Sequence, residues 1–114
     1  MTKEEYRKRK QEYEDARKIA EATYKNSMEE LDNQAIEESG MLENVGRKCK
    51  AYGFRLGTDE KFWMNGGEPV YISEVKVDRW DGKCYYTFVH SKKDGSPSKV
   101  PSGIYKAAGV EFIE

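Results

Sequence analysis

Histidine is nearly absent from this sequence, cysteine and proline are scarce, and no apolar run is long. The single histidine, His90, leaves only one base through which a Ser-His or Cys-His nucleophile could be activated. It falls at the expected end of a strand beside Ser91, a place that suits a strand-edge residue better than a catalytic one. Two cysteines, Cys49 and Cys84, are too few for a disulfide framework, and with His90 they fall short of the four ligands of a structural zinc. Both are expected to be reduced strand residues of an intracellular protein. Gly66-Gly67 precedes no Gly-Lys-Ser and opens no helix, which argues against a phosphate loop. Asp78 and Asp81 are expected in a strand and a turn, not as a working carboxylate pair. No metal, cofactor or catalytic residue is therefore expected.

Two further absences bound the partners. No apolar stretch approaches the ~18 residues of a membrane span, and the opening Met-Thr-Lys-Glu-Glu-Tyr-Arg is too polar for a secretory signal. A cytoplasmic protein without a membrane partner is expected. Charge of one sign is also missing: 20 basic and 21 acidic side chains give a net charge of -1. The whole chain is then neither a polycation built for nucleic acid nor an acidic mimic of it.

What is present is charge without apolar surplus, 36% against 37% of 114 residues, enough for one small domain and an appendage. The appendage is expected at residues 1–40, as one long helix. Thr2 with Glu5 three residues on has the pattern of a capping box. The interior lacks Gly and Pro and is rich in Ala, Glu, Lys and Arg. Gly40 after Ser39 is a natural left-handed stop. At ~100° per residue, Tyr6, Tyr13, Ala20, Tyr24, Met28, Leu31 and Ala35 fall on a stripe roughly 80° wide. Residues 3 to 38 would extend about 54 Å at the helical rise, about twice the width of a globule built from the remaining chain. That length and the Tyr- and Ala-rich make-up point to an oligomer interface and not to a leucine zipper. Charge points the same way. Lys3, Arg7, Lys8, Arg9 and Lys10 crowd the start, and Glu29, Glu30, Asp32, Glu37 and Glu38 the end. The helix dipole favours the opposite layout, whereas an antiparallel second copy would set basic end against acidic end. An antiparallel homodimer or higher oligomer is expected. The alternative is that only Tyr24 to Ala35 packs on the chain's own domain.

From residue 41 the apolar period shortens to two. Val45 to Leu56 is expected as a first strand with a bulge or bend at Gly53, and residues 57–69 as a loop carrying Phe62, Trp63 and Met64. Asp81-Gly82 is a two-residue hairpin signal between strands Val70–Trp80 and Lys83–His90. It would pair Arg79 with Cys84, Val77 with Tyr86 and Val75 with Phe88. Tyr71, Val75, Val77, Cys84, Tyr86 and Phe88 would then face the core, with Lys76, Asp78, Trp80, Lys83, Tyr85 and Thr87 outward and Ile72 and Val89 at the far end of that face. Ser91 to Ser102 reads as a polar loop, Gly103 to Ala108 as a helical turn and Val110 to Glu114 as a last strand.

This order of elements resembles an SH3-like small β-barrel over residues 41–114, giving an α+β protein with a long N-terminal α-helix ahead of an antiparallel barrel. Val45-Gly-Arg-Lys-Cys-Lys resembles the opening strand of small barrels in phage and mobile-element proteins, and Ile104-Tyr-Lys-Ala-Ala-Gly-Val-Glu-Phe-Ile-Glu114 their closing strand. Such barrels bind proline-rich peptides, protein tails or RNA, and the chain is similar in style to phage proteins that block bacterial defences. The resemblance thus implies an anti-CRISPR or signal-sequestering factor in the host-cell cytoplasm.

A binding site is expected on the outward hairpin face. Trp80 and Tyr85, ringed by Lys76, Arg79 and Lys83, with Trp63 in the preceding loop, offer rings to stack and cations to meet phosphate. A small anionic or nucleotide ligand, or a host protein, would be held there or between copies. The competing expectation is an RNA- or DNA-binding barrel that adds Arg47, Lys48 and Lys50 to this face.

Overall fold

The computed structural model describes residues 1–113 of an α+β chain: one long helix, then six antiparallel strands. Two compact units divide it, Met1–Gln34 and Ala35–Glu114.

Helix α1 spans Lys3–Ser39. Its N-terminus is held as the capping pattern requires: the Thr2 hydroxyl accepts the Glu5 N–H at 3.1 Å, and the Thr2 carbonyl accepts that of Tyr6 at 3.1 Å. Ion pairs of i,i+4 spacing run along it: Lys10–Glu14 at 4.0 Å, Arg17–Glu21 at 2.9 Å and Lys25–Glu29 at 4.0 Å. In each the base precedes the acid, the weaker order against the dipole, and all are exposed, so they add little. The last turn contains no base. Gly40 ends the helix at φ 71°, a left-handed geometry costly to any side chain.

A 3-10 turn at Met41–Asn44 leads into the sheet of the second unit. The strands are β1 (Lys48–Phe54), β2 (Lys61–Trp63), β3 (Val70–Val77), β4 (Cys84–Ser91), β5 (Pro97–Pro101) and β6 (Gly109–Phe112). β1 is the centre of the arrangement. The Lys48 and Tyr52 carbonyls accept N–H groups of Ile113 and Ala108 on the β6 side, both at 2.9 Å. The Arg47 and Ala51 carbonyls instead accept Ile72 (3.1 Å) and Met64 (2.9 Å). One edge of β1 is thus taken by β6 and the other by β3 and then β2. β3 continues to β4 and β4 to β5. Among the described residues no pairing joins β5 to β6, so the sheet is open where a closed barrel was expected. Pro97 and Pro101 sit on the edge strand β5, where a missing N–H is tolerated.

The core lies on one face: Cys49 and Ala51 from β1, Val70 and Ile72 from β3, and Phe88 from β4, with Met64, Tyr86, Ile104, Ala107 and Val110 packed around them. Residues 102–108 cover this face as irregular chain and not as the expected helical turn. The segment 57–69 is likewise not all loop: it contains β2 and a 3-10 turn at Asn65–Gly67. Gly53 forms no bulge. Its bare Cα instead admits the Phe62 ring, which would lie 2.9 Å from a Cβ.

The hairpin differs most from expectation. Val77 pairs with Cys84, Lys76 with Tyr85 and Val75 with Tyr86, so the register is displaced by two residues from that of a two-residue turn. The connection is instead a four-residue loop, residues 79–82, closed by the Asp78 N–H on the Lys83 carbonyl (2.9 Å) and the Gly82 N–H on the Asp78 carbonyl (2.7 Å). Asp78 is the reason: its Oδ1 accepts the Trp80 N–H at 2.9 Å, taking Trp80 out of the strand. The even displacement keeps Val75 inward, but one extra residue, Ser73, bulges from β3 between Ile72 and Glu74. Facing is therefore exchanged beyond it: Val70 and Ile72 are buried, and Tyr71, expected in the core, is only half-buried, its hydroxyl donating to the Gly95 carbonyl.

Candidate functional site

Of the side chains expected to form one ligand site, some are brought together and others are not. Lys76 and Tyr85 are opposite one another in register. Trp80 stands at the tip of the 79–82 loop at 95% exposure and does not stack on Tyr85. Arg79 shares that loop, and Lys83 is exposed just past it. The Tyr85 ring instead meets Tyr105 edge-on at 6.3 Å, with the Lys106 ammonium 5.5 and 5.3 Å from the two ring centres. Lys106 is also paired with the Asp78 carboxylate, which ties the covering segment to the hairpin. Trp63 belongs to β2 and to a different group of rings.

That group stands on the outward face of β1, where Lys48, Lys50, Tyr52 and Phe54 alternate with the buried Cys49, Ala51 and Gly53. Register sets Trp63 against Tyr52 and Lys61 against Phe54. Tyr52 meets Phe54 at 5.8 Å and 76°, and Trp63 at 6.1 Å and 86°. Two near-perpendicular rings form a corner, and the Lys61 ammonium occupies it, 4.0 Å from the Tyr52 centre and 4.4 Å from that of Trp63. Lys61 reaches on across β1 to Glu111 Oε1 of β6 at 2.7 Å. Gly109 makes room for this, since a Cβ there would lie 2.3 Å from the Tyr52 hydroxyl oxygen.

Trp63 also borders a cleft of about 340 Å³, with Phe62, Met64, Asn65, Ser102, Gly103 and Ile104. Asn65 is held at φ 54°, and its buried Nδ2 makes no hydrogen bond. A smaller cleft of about 160 Å³ opens beside Cys84, Tyr86 and Phe88 under residues 107–110.

The second basic group is drawn into the sheet surface. The Arg47 guanidinium lies 3.6 Å over the Phe112 ring, Lys48 is 6.0 Å from Tyr71, and Lys50 is opposite Glu111. His90 faces Val70 in register and is half-buried. Cys49 is fully buried, and burial pushes its thiol up to about 11, with Arg47 pulling weakly the other way. Cys84 is free and half-buried. Among the described residues no cluster of His, Cys, Asp or Glu has the grouping of a metal site. No helix among them is long and apolar enough to cross a membrane.

On the helix, no residue of α1 is buried. Tyr6, Tyr13, Tyr24 and Leu31 of the stripe are 55–75% exposed, as is Ile19 away from it, and Met28 and Ala35 are half-buried. Sequence reasoning missed Tyr52, Phe54, Lys61 and Glu111. The alternation Lys48-Lys50-Tyr52-Phe54 was visible, but its partner, Lys61 with Trp63, lay in a segment read as loop. No protein family, curated protein or solved structure matches the chain.

Proposed function

We propose that this is a non-enzymatic binding protein that associates with itself through the α1 stripe and holds a partner protein on its sheet unit. The observation that carries the reading is the stripe itself. Across 37 helical residues Tyr6, Tyr13, Tyr24 and Leu31 of the stripe lie open to solvent, a costly surface for a chain with so little apolar material. An antiparallel second copy answers both the exposed rings and the charge layout. Basic side chains near residues 7–10 would then meet acidic ones near 29–38.

A protein partner is favoured over a nucleotide or nucleic acid. Of the cations named for phosphate contact, Arg47 is set against the Phe112 ring and Lys50 is opposite Glu111. The exposed groups, Trp80 on its fixed loop and Trp63 beside a cleft, are of the kind that anchor protein interfaces. We read the sheet unit as an SH3-like small barrel with its last seam open, supported by a first strand shared between β2, β3 and β6. On the resemblance of its opening and closing strands, the partner would be a component of a bacterial defence and the working place the host cytoplasm.

Sedimentation of the whole chain tests the reading. A mass that is a multiple of 13.2 kDa is expected at tens of micromolar, falling to 13.2 kDa in a Tyr13→Glu/Tyr24→Glu variant. Both positions are exposed, so the helix itself should survive. A monomeric parent chain would remove the self-association half of the proposal.

A further inference from the structure

The corner on β1 already shows what chemistry it accepts, because an ammonium occupies it. Lys61 is not required there by the core: it is a surface residue of a three-residue edge strand, reaching over Tyr52 to Glu111. We infer that Tyr52 and Trp63, with Glu111 beside them and Phe54 packed against Tyr52, form a binding site for a trimethylated lysine of a partner protein, and that Lys61 is a placeholder which that side chain displaces.

Three features of the corner converge on this ligand. The first is the pair of perpendicular rings, whose faces present negative potential to one point from two sides. The second is the Glu111 carboxylate beside that point, which compensates a full positive charge. The third is access: Trp63 is 41% exposed and belongs to an edge strand, so a side chain of another protein can reach the rings.

Methylation decides the competition with Lys61. An unmodified lysine offers the rings nothing that Lys61 does not, and it arrives without the advantage of being tethered. A trimethylammonium is more weakly hydrated, needs no hydrogen-bond acceptor, and lays methyl groups against both rings, so it loses less on leaving water. Removing the tethered competitor should therefore tighten binding, whereas removing a ring should abolish it. This deepens the partner-binding half of the reading above and does not depend on self-association, which is followed by mass alone.

The test uses the full chain with Trp80→Phe, leaving Trp63 as the only tryptophan. Its fluorescence is followed during titration with a short trimethyllysine peptide, its unmodified twin, and phosphatidylcholine vesicles, which carry the same ammonium on a lipid. Saturable quenching by the trimethyl peptide is expected, roughly two- to fivefold tighter with Lys61→Gln, as loss of one exposed cation–π competitor implies, and lost with Tyr52→Leu. Lys61→Met should repeat the gain should the glutamine variant fold poorly. Equal affinity for the twin, no response with either Lys61 variant, an unchanged affinity on removing Lys61, or a response to vesicles and not to peptide would each overturn the assignment.

Discussion

Replacing Asp78 with alanine should cost this small domain about as much as emptying a core position. Three parts of the chain meet at this carboxylate. Oδ1 accepts the Trp80 N–H at 2.9 Å and sets the hairpin loop, Oδ2 pairs with Lys106, and the side chain is only 18% exposed. A hydrogen bond to a charged acceptor contributes roughly 1.5–3 kcal/mol. The ion pair adds at most about 1 kcal/mol, because Lys106 is partly in water and the pair is screened. Asp78→Ala should then lose roughly 2–3 kcal/mol, read as a fall in the urea midpoint without change in slope. In a domain of this size that corresponds to a lowering of Tm by roughly 10–20 °C. Asp78→Asn retains an oxygen for the Trp80 N–H and loses only the charge, so it should cost about 1 kcal/mol. A double-mutant cycle with Lys106→Ala should leave a coupling of about 0.5–1 kcal/mol. A cost below about 0.5 kcal/mol for Asp78→Ala, within the scatter of ordinary surface changes, would refute this role for the carboxylate. An asparagine variant as damaged as the alanine would refute it equally.

Three other outcomes follow from the same packing. Lys106 holds φ 47° without being glycine, so Lys106→Gly should be more stable than Lys106→Ala by about 1 kcal/mol, both having lost the ion pair. Gly109→Ala would drive a Cβ to 2.3 Å from the Tyr52 hydroxyl oxygen and turn that ring out of the Lys61 corner; a loss of about 1–3 kcal/mol and a shifted Trp63 emission are expected. For Cys49 the sign runs against alkali. The folded state keeps the thiol protonated to about 11 while the unfolded chain ionises from its ordinary 9.0. Stability should therefore fall as pH rises through that window, by about 1.4 kcal/mol per unit. Cys49→Ala lacks this slope, and identical pH profiles for parent and variant would contradict the buried thiol.

The helix was legible because its signals are local. A hydroxyl three residues ahead of Glu5, a glycine-free interior and Gly40 each act within one turn of chain. The central hairpin was legible in existence but not in register. Asp81-Gly82 is a strong turn signal, yet the decisive group was the Asp78 side chain, whose bond to the Trp80 N–H lengthens the loop. The Ser73 bulge left no composition mark either, and it alone decides that Ile72 and not Tyr71 enters the core. β2 was hidden for a similar reason: three residues among glycines form a strand only because β1 offers an edge beyond the reach of β3. The aromatic corner depends on that pairing, so it could not be read until Lys61 and Trp63 were set against Phe54 and Tyr52.

Cross-linking by single engineered cysteines tests the α1 interface most directly. The midpoint of the stripe falls at residues 20–21, so antiparallel copies bring Ala20 beside its own counterpart and Tyr6 beside Ala35 of the second copy. Oxidised Ala20→Cys should run as a covalent dimer, Tyr6→Cys should not, and the Tyr6→Cys/Ala35→Cys double variant should cross-link. A Tyr6→Cys chain that dimerises as readily as Ala20→Cys would show parallel pairing, and failure of all three would show that the stripe is not where two copies meet.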